Sequence, residues 1–379
     1  MASGSDDVVT AVLYPAPEAL ADRLAETAPG AAGFSRPASV EEMAELYRDL
    51  DAAATTTVVV GSGTHQRIGH AVHAEVGVST AGLDRVISHE PEDLTLTVES
   101  GVTLERIDAL LGEHRQTAAL PETAPGATIG GVIAAGLSGY RRNRFGPTRD
   151  RVLEVTLVTG DGRVVTGGAR VVKNVSGYDL PRIACGSFGS LGVIVSVCLK
   201  LWPVPEAAAT VRIDSVDALA DIHRPLAVVE TRDGIRVYLQ GARPQVESAA
   251  AVGTIESDGL DWPTLGDHEL VVELRVRPSL VGAAVSRVRG WGEFVAQHQV
   301  GVVSSGVHSP DREALEEVRR WCESSGGALV VTDHAGPADS TPVIDPWGTP
   351  PPALALQRRL IAAFDPHRIV NRGRLPGGI

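Results

Sequence analysis

Lysine is almost missing from this sequence. Of its 34 basic residues only Lys173 and Lys200 are lysines, and the others are arginines. Cysteine is scarce as well. Cys185, Cys198 and Cys322 stand far apart, without CxxC or Cys/His ligand spacing. That argues against a disulfide framework, a zinc site or an iron–sulfur cluster held by this chain alone. No metal site is expected. There is no run of about 18 apolar residues, so no segment is expected to span a membrane. The opening MASGSDDVVT has neither a basic n-region nor an apolar h-region, so no signal peptide is expected and the predicted location is cytoplasmic. Positive charge is short overall. The formal net charge of −13 argues against nucleic acid or an acidic membrane surface as a partner.

What is present is ordinary globular material with unusual glycine clusters. A chain of 379 residues exceeds the size at which one core keeps growing, so two domains are expected. The stretch Pro121–Gly146 (PETAPGATIGGVIAAGLSGYRRNRFG) is dense in Gly and Ala and ends in Arg141, Arg142 and Arg144. Small residues crowd where another surface must approach the backbone closely. Ala127–Ile133 reads as a turn feeding a short apolar helix, and Gly136–Gly139 as a second turn. Such a segment would present N–H groups to something flat and anionic. A tightly packed helix–sheet junction with no ligand has the same composition.

Ser39 and Glu42 form a capping box ahead of Val40, Met43, Leu46, Tyr47 and Leu50 at helical spacing. A helix around Pro17–Thr27 is expected before it. Thr57–Val60 reads as a strand running into Gly61-Ser62-Gly63-Thr64-His65-Gln66, a turn suited to a phosphate. Gln66 stands where the third glycine of a nicotinamide-type loop belongs, and there is no Walker lysine. Strands are expected at Arg85–His89, Leu94–Glu99 and Arg151–Thr159. The turn Gly160-Asp161-Gly162 closes a hairpin, and Thr103 caps a helix bearing Leu104, Ile107, Leu110 and Leu111. Lys173–Leu180 is compact and polar. Gly186–Gly192 opens a long buried strand, Val193–Leu201, which Pro203 and Pro205 end. Beyond Ala207 the pattern predicts an antiparallel sheet with strands at Ile235–Gln240 and Glu269–Val276. Helices are expected near Leu280–Gln297 and Asp311–Ser324. Pro337–Pro352 reads as a linker and Ala353–Ala363 as a final helix.

Gly61–His65, Pro121–Gly146, Arg149–Leu153, Lys173–Leu180, Gly186–Ile194, then Phe364-Asp365-Pro366 with Asn371 and Gly373, occur in that order. The ordered set resembles the flavin-binding domain of the vanillyl-alcohol-oxidase or PCMH type, shared by glycolate oxidase flavin subunits and D-lactate dehydrogenases. The run Val172–Leu180 is similar to the smaller of the two kinds of flavin subunit found in glycolate oxidases. The likeness covers about residues 37–205 and the last twenty. It implies an α+β fold: a two-subdomain PCMH-type FAD-binding domain followed by a smaller α+β cap with an antiparallel sheet. The implied division is an N-terminal segment 1–36, the flavin domain 37–206, a cap or substrate domain 207–345, and a linker with C-terminal segment 346–379 returning to the flavin domain.

The resemblance also implies FAD in an extended pose. Val60, Gly61, Ser62, Gly63, Thr64 and His65 would take the pyrophosphate. Pro121, Thr128, Ile129, Gly130, Ala134 and Gly139 would line the channel to the flavin ring, and Gly189, Gly192 and Ile194 would hold the adenosine end. Some relatives attach FAD covalently to a His near His65, but noncovalent FAD is expected here. Two departures stand out. Asn371-Arg372-Gly373 replaces the family's Asn-Pro-Gly, and the metal-associated His cluster of the family's hydroxy-acid oxidases has no counterpart, since His308 and His334 stand alone.

The implied function is an FAD-binding subunit of a glycolate-oxidase-like dehydrogenase, an FAD-dependent oxidoreductase acting on a small 2-hydroxy acid. A larger flavin subunit and an iron–sulfur subunit are its expected partners. Arginine suits a substrate carboxylate because its fork holds both oxygens. Arg141, Arg142, Arg144, Arg372 and Arg374 are candidates for that task. No base is identifiable, and Arg144, His308, His334 and Arg372 are the candidate catalytic positions. The rivals are a free-standing D-lactate-type dehydrogenase and a scaffold subunit that has lost its flavin.

Overall fold

The computed structural model describes residues 31, 33–170, 179–335 and 343–379. The expected helix around Pro17–Thr27, the residues Lys173–Tyr178 and the first part of the Pro-rich segment lie outside the described residues. The fold is a mixture of helices with mostly antiparallel sheets.

The capping box forms. Ser39 Oγ accepts from the N–H of Glu42 at 3.1 Å, and Glu42 reaches back to the N–H of Ala38 at 2.8 Å. The helix Val40–Ala52 buries Met43, Leu46, Tyr47 and Leu50 against Val78, Val158, Val193 and Val195, together with Ile369 and Val370 from the far end of the chain. Each such side chain contributes about 1.5–3 kcal/mol of hydrophobic burial, which fixes the helix on the sheets beneath it.

Two sheets share this part of the molecule. One is parallel, in the order Phe34–Ser35, Val76–Ser79, Thr57–Val60. The other is antiparallel, in the order Val86–Glu90, Thr95–Glu99, Val193–Lys200, Val152–Val158, Val164–Gly168. Val193–Lys200 is its middle strand, consistent with an apolar run that glycines open and prolines close. Leu104–Glu113 is capped by Thr103 as expected and buries Leu104, Ile107 and Leu111.

The third large sheet has eight antiparallel strands drawn from Ala207 to His334. Its helices Val281–Val288 and Arg312–Ser324 cover one face, packing on Leu270, Val272 and Leu274. The strand alternation therefore turns Glu273 and Arg275 to the opposite face. One expectation fails here. The helix expected through Gln297 stops at Val288, and Phe294–Gln297 is a strand between Ala227–Thr231 and Val302–Val307. Gly290 and Gly292 break the helix, and the short apolar run after them is buried within the sheet.

The chain end returns to its beginning. Asp365 accepts from the N–H groups of Ile369 at 3.0 Å and Val370 at 2.9 Å, folding the tail back. Val370 then bridges Thr57 in parallel, with Thr57 N–H to Ile369 O at 2.6 Å and Asn371 N–H to Thr57 O at 2.9 Å. Among the described residues no helix is long and apolar enough to cross a membrane.

Candidate functional site

The loop after Thr57–Val60 lies against the start of the helix Ile129–Ala135. Thr128 caps that helix, its hydroxyl accepting from the N–H of Gly131 at 3.3 Å. A Cβ on Gly61 would collide with the Thr128 hydroxyl, so glycine is needed for this approach. Gly63 has φ +77°, a left-handed conformation that lets the loop turn. The backbone N–H groups of Gly61, Gly63, Thr64 and His65 find no partner among the described residues.

Beside this loop runs a narrow slot of about 70 Å³. Gly61, Gly63, Thr64 and His65 form one wall, Thr128, Gly130 and Ala134 a second, and Gly189, Gly192 and Ile194 a third. Phe188, Asn371 and Arg374 complete it. Asn371 ties the walls together. Its Oδ1 accepts from Val59 N–H at 2.9 Å and its Nδ2 donates to Phe188 O at 2.8 Å. A Cβ on Gly189, at φ +71°, would lie within 2.5 Å of that amide. Arg374 is 4% exposed, and its Nη2 donates to the carbonyls of His65 and Gln66. Its Nη1 is buried with no hydrogen-bond partner among the described residues. His65 pairs with Thr64 Oγ1 through Nδ1 at 2.9 Å, and burial pulls its pKa down to about 4, so the ring is neutral at pH 7.

The slot shares Ala135 and Phe188 with a larger cavity of about 720 Å³, so the two adjoin. One side of that cavity is the glycine-rich stretch, including Pro121, Gly136, Gly139 and Tyr140. Arg151 fastens both ends of the stretch by donating to the carbonyls of Ala119 and Gly146. The facing side is the helix-free face of the eight-stranded sheet, with Glu273, Arg275, Gln297 and Ser304. Arg142, Arg149 and Arg275 supply its cations. Arg275 is paired with Glu273 at 2.6 Å and Arg149 with Asp150 at 3.9 Å. Arg142 makes no side-chain hydrogen bond among the described residues, and burial pulls its pKa down. No histidine lines this cavity.

The predicted positions divide accordingly. Gly61, Gly63, Thr64, His65, Thr128, Gly130, Ala134, Gly189, Gly192 and Ile194 meet at the slot, while Pro121 and Gly139 lie at the larger cavity. Val60 and Ile129 are buried behind them in the core, and Ser62 lies in the loop. The candidate catalytic positions lie at neither. Arg144 donates to Gln240 O at 2.8 Å, and Arg372 is exposed. His308 packs on His268 with ring centroids 4.7 Å apart, and His334 sits at the end of the strand Ala328–His334. Arg141 is engaged by Glu122 and by Leu120 O. Sequence reasoning missed Arg149, Glu273 and Arg275 at the cavity. The alternation of Leu270–Arg275, which sets Glu273 and Arg275 on the face away from the helices, was the available signal.

A dinucleotide's diphosphate suits this arrangement. The slot admits a narrow linker rather than a ring, its loop offers unpaired N–H groups, and a buried cation nitrogen awaits an acceptor. The larger cavity has room for a flavin ring.

Comparison with known proteins agrees. Residues 31–168 match the family described as FAD binding domain. Glycolate oxidase subunit GlcE of Escherichia coli is 31% identical over 228 residues, which cover 57% of this chain and 65% of that protein. D-2-hydroxyglutarate dehydrogenase of Xanthomonas citri is 32% identical, over 51% of this chain and 42% of that one. The mitochondrial D-lactate dehydrogenase [cytochrome] of Arabidopsis thaliana is 31% identical, over 53% of this chain and 35% of that one. The matched regions thus span less than two thirds of each of these relatives. Among solved structures, alkyldihydroxyacetonephosphate synthase superposes with TM-score 0.63 at 14% identity, over 89% of this chain and 75% of that one, a likeness of fold alone. Residues 31–168 thus resemble an FAD binding domain of the PCMH type, and this match with the likeness to a glycolate oxidase subunit indicates FAD as the cofactor.

Proposed function

We propose that this chain is the FAD-holding subunit of a dehydrogenase assembly acting on a small 2-hydroxy acid, with a larger flavin subunit and an iron–sulfur subunit as partners. On this reading residues 37–206 hold the cofactor, 207–345 cap it, and 346–379 return to close the site. One observation carries it: the cavity next to the slot is lined by Arg142, Arg149 and Arg275 and by no histidine. FAD, when bound, supplies the acceptor for two electrons.

The chain's own residues would do the rest. Arg142, half-buried and uncommitted, is placed to hold a carboxylate by two bonds. Arg149 and Arg275, nearer solvent, would draw an anion to the mouth. None of the three can take the hydroxyl proton, because a guanidinium keeps its own at neutral pH. The cavity's carboxylates Glu122 and Glu273 are each engaged by an arginine, so the proton acceptor is assigned to the partner flavin subunit. The likeness to a glycolate oxidase subunit supports a multi-subunit assembly.

A second reading is a free-standing dehydrogenase. Glu122 and Glu273 line the same cavity and favour it, since either could serve as base once its arginine turned to the substrate.

Oxalate, a planar carboxylate that cannot be oxidised by hydride loss, tests the site. It should perturb the bound flavin's absorption, and Arg142→Met should weaken that binding ~10- to 100-fold while leaving flavin content unchanged. An undiminished oxalate affinity would remove the carboxylate role from Arg142 and the cavity with it.

A further inference from the structure

We propose that Arg374, on the returning C-terminal segment, is the cation that neutralises the diphosphate of FAD, so that cofactor retention depends on the tail. This rests on the assignment of FAD as cofactor.

The geometry singles out this arginine. Among the described residues three guanidinium groups are almost fully buried: Arg151, Arg319 and Arg374. In Arg151 both terminal nitrogens are spent, on the carbonyls of Ala119 and Gly146. In Arg319 they are spent on Glu316 and on Asp345 O. Arg374 alone of the three keeps a terminal nitrogen, Nη1, without a partner among the described residues, and it alone lines the slot. Among the described residues no carboxylate pairs with it there. A cation taken out of water and left without a counter-charge is costly, and proteins retain one where an anion arrives to meet it.

The side chain is also held in place. Nη2 donates to the carbonyls of His65 and Gln66, on the loop that turns at Gly63. Its own carbonyl accepts from Trp347 Nε1 at 2.9 Å and from His70 N–H at 3.2 Å. Asn371, three residues earlier, clamps the tail to Val59 and Phe188. Arg374 and the loop's unpaired N–H groups therefore belong to the same narrow slot, and the arginine has few rotamers left to lose. A diphosphate in the slot would receive the loop's donors and the arginine's full charge.

The test is equilibrium binding of FAD and of ADP, which carries the diphosphate without the flavin, to apoprotein. Arg374→Met and Arg374→Gln should each weaken both ligands at least ~30-fold, and Arg374→Lys should recover part of the loss. Arg359→Met removes an exposed cation on the helix Leu354–Phe364 and should change neither affinity. Gln keeps donors for the two loop carbonyls, so a purely structural Arg374 predicts rescue by Gln rather than by Lys. That order, or unchanged affinity in Arg374→Met, would overturn the proposal while leaving FAD as cofactor. Should Arg374→Met fail to fold, the Gln and Lys variants decide alone by the same order. A parent apoprotein that takes up neither FAD nor ADP would sink the cofactor assignment itself.

Discussion

His65 shows how much a single residue's chemistry depends on its seat. An imidazole normally titrates near 6.5, but burial lowers this one to about 4. Its folded pKa lies below its unfolded one, so the stability it contributes is present above about 6.5 and is lost as pH falls toward about 4. Apoprotein should lose about 2 kcal/mol from this group between pH 7 and pH 5, on top of what other groups contribute. His65→Gln should flatten the urea-unfolding free energy over that range by this amount. An identical pH slope in parent and variant would show that the ring is not held neutral. The residue scale also marks where sequence reading stopped. Arg141, Arg142 and Arg144 look alike in the chain, yet one is engaged by Glu122, one by a carbonyl of the eight-stranded sheet, and one faces the cavity. Partners distant in sequence decide such fates, and no local pattern carries them.

At the scale of elements, the motif Phe364-Asp365-Pro366 turns out to be a fold-back device. Asp365 is 1% exposed, and burial pushes its pKa up, while the N–H groups of Val370 and Ile369 pull it down. Those two bonds hold the turn that follows the helix Leu354–Phe364 and aim the tail at Thr57. Asp365→Ala would leave both amides unsatisfied, which should cost about 2–4 kcal/mol of unfolding free energy. Asp365→Asn, which keeps one acceptor, should cost less. Equal stability of parent and Asp365→Ala in urea unfolding would show that the turn stands without the carboxylate. Elements with a local cause were legible. The capping box at Ser39 and Glu42, the Thr103 cap, and the strand Thr57–Val60 stand where the sequence puts them. The misplaced helix at Phe294–Gln297 and the unforeseen strand Val76–Ser79 have no such local signal. Their conformation is set by sheet neighbours far away in the chain.

At the scale of the whole molecule, the glycine clusters were readable as close-approach surfaces, and ten of the positions expected to hold the cofactor converge on one slot. What lay beyond reading was the cavity, because it exists only where the eight-stranded sheet faces the Pro121–Gly146 stretch. Its contents bear on the proposed division of labour. Arginines can hold an acid, but a missing proton acceptor is worth ~10²- to 10⁴-fold in rate. The most direct test is steady-state oxidation of glycolate and D-lactate with an artificial dye, at equal flavin content. The chain alone would be measured against the chain joined by a larger flavin subunit and an iron–sulfur subunit. The proposal predicts that the chain alone is ~100-fold or more slower. Comparable turnover by the chain alone would contradict it, and would make Glu122 and Glu273 the first residues to test as the base of a free-standing dehydrogenase.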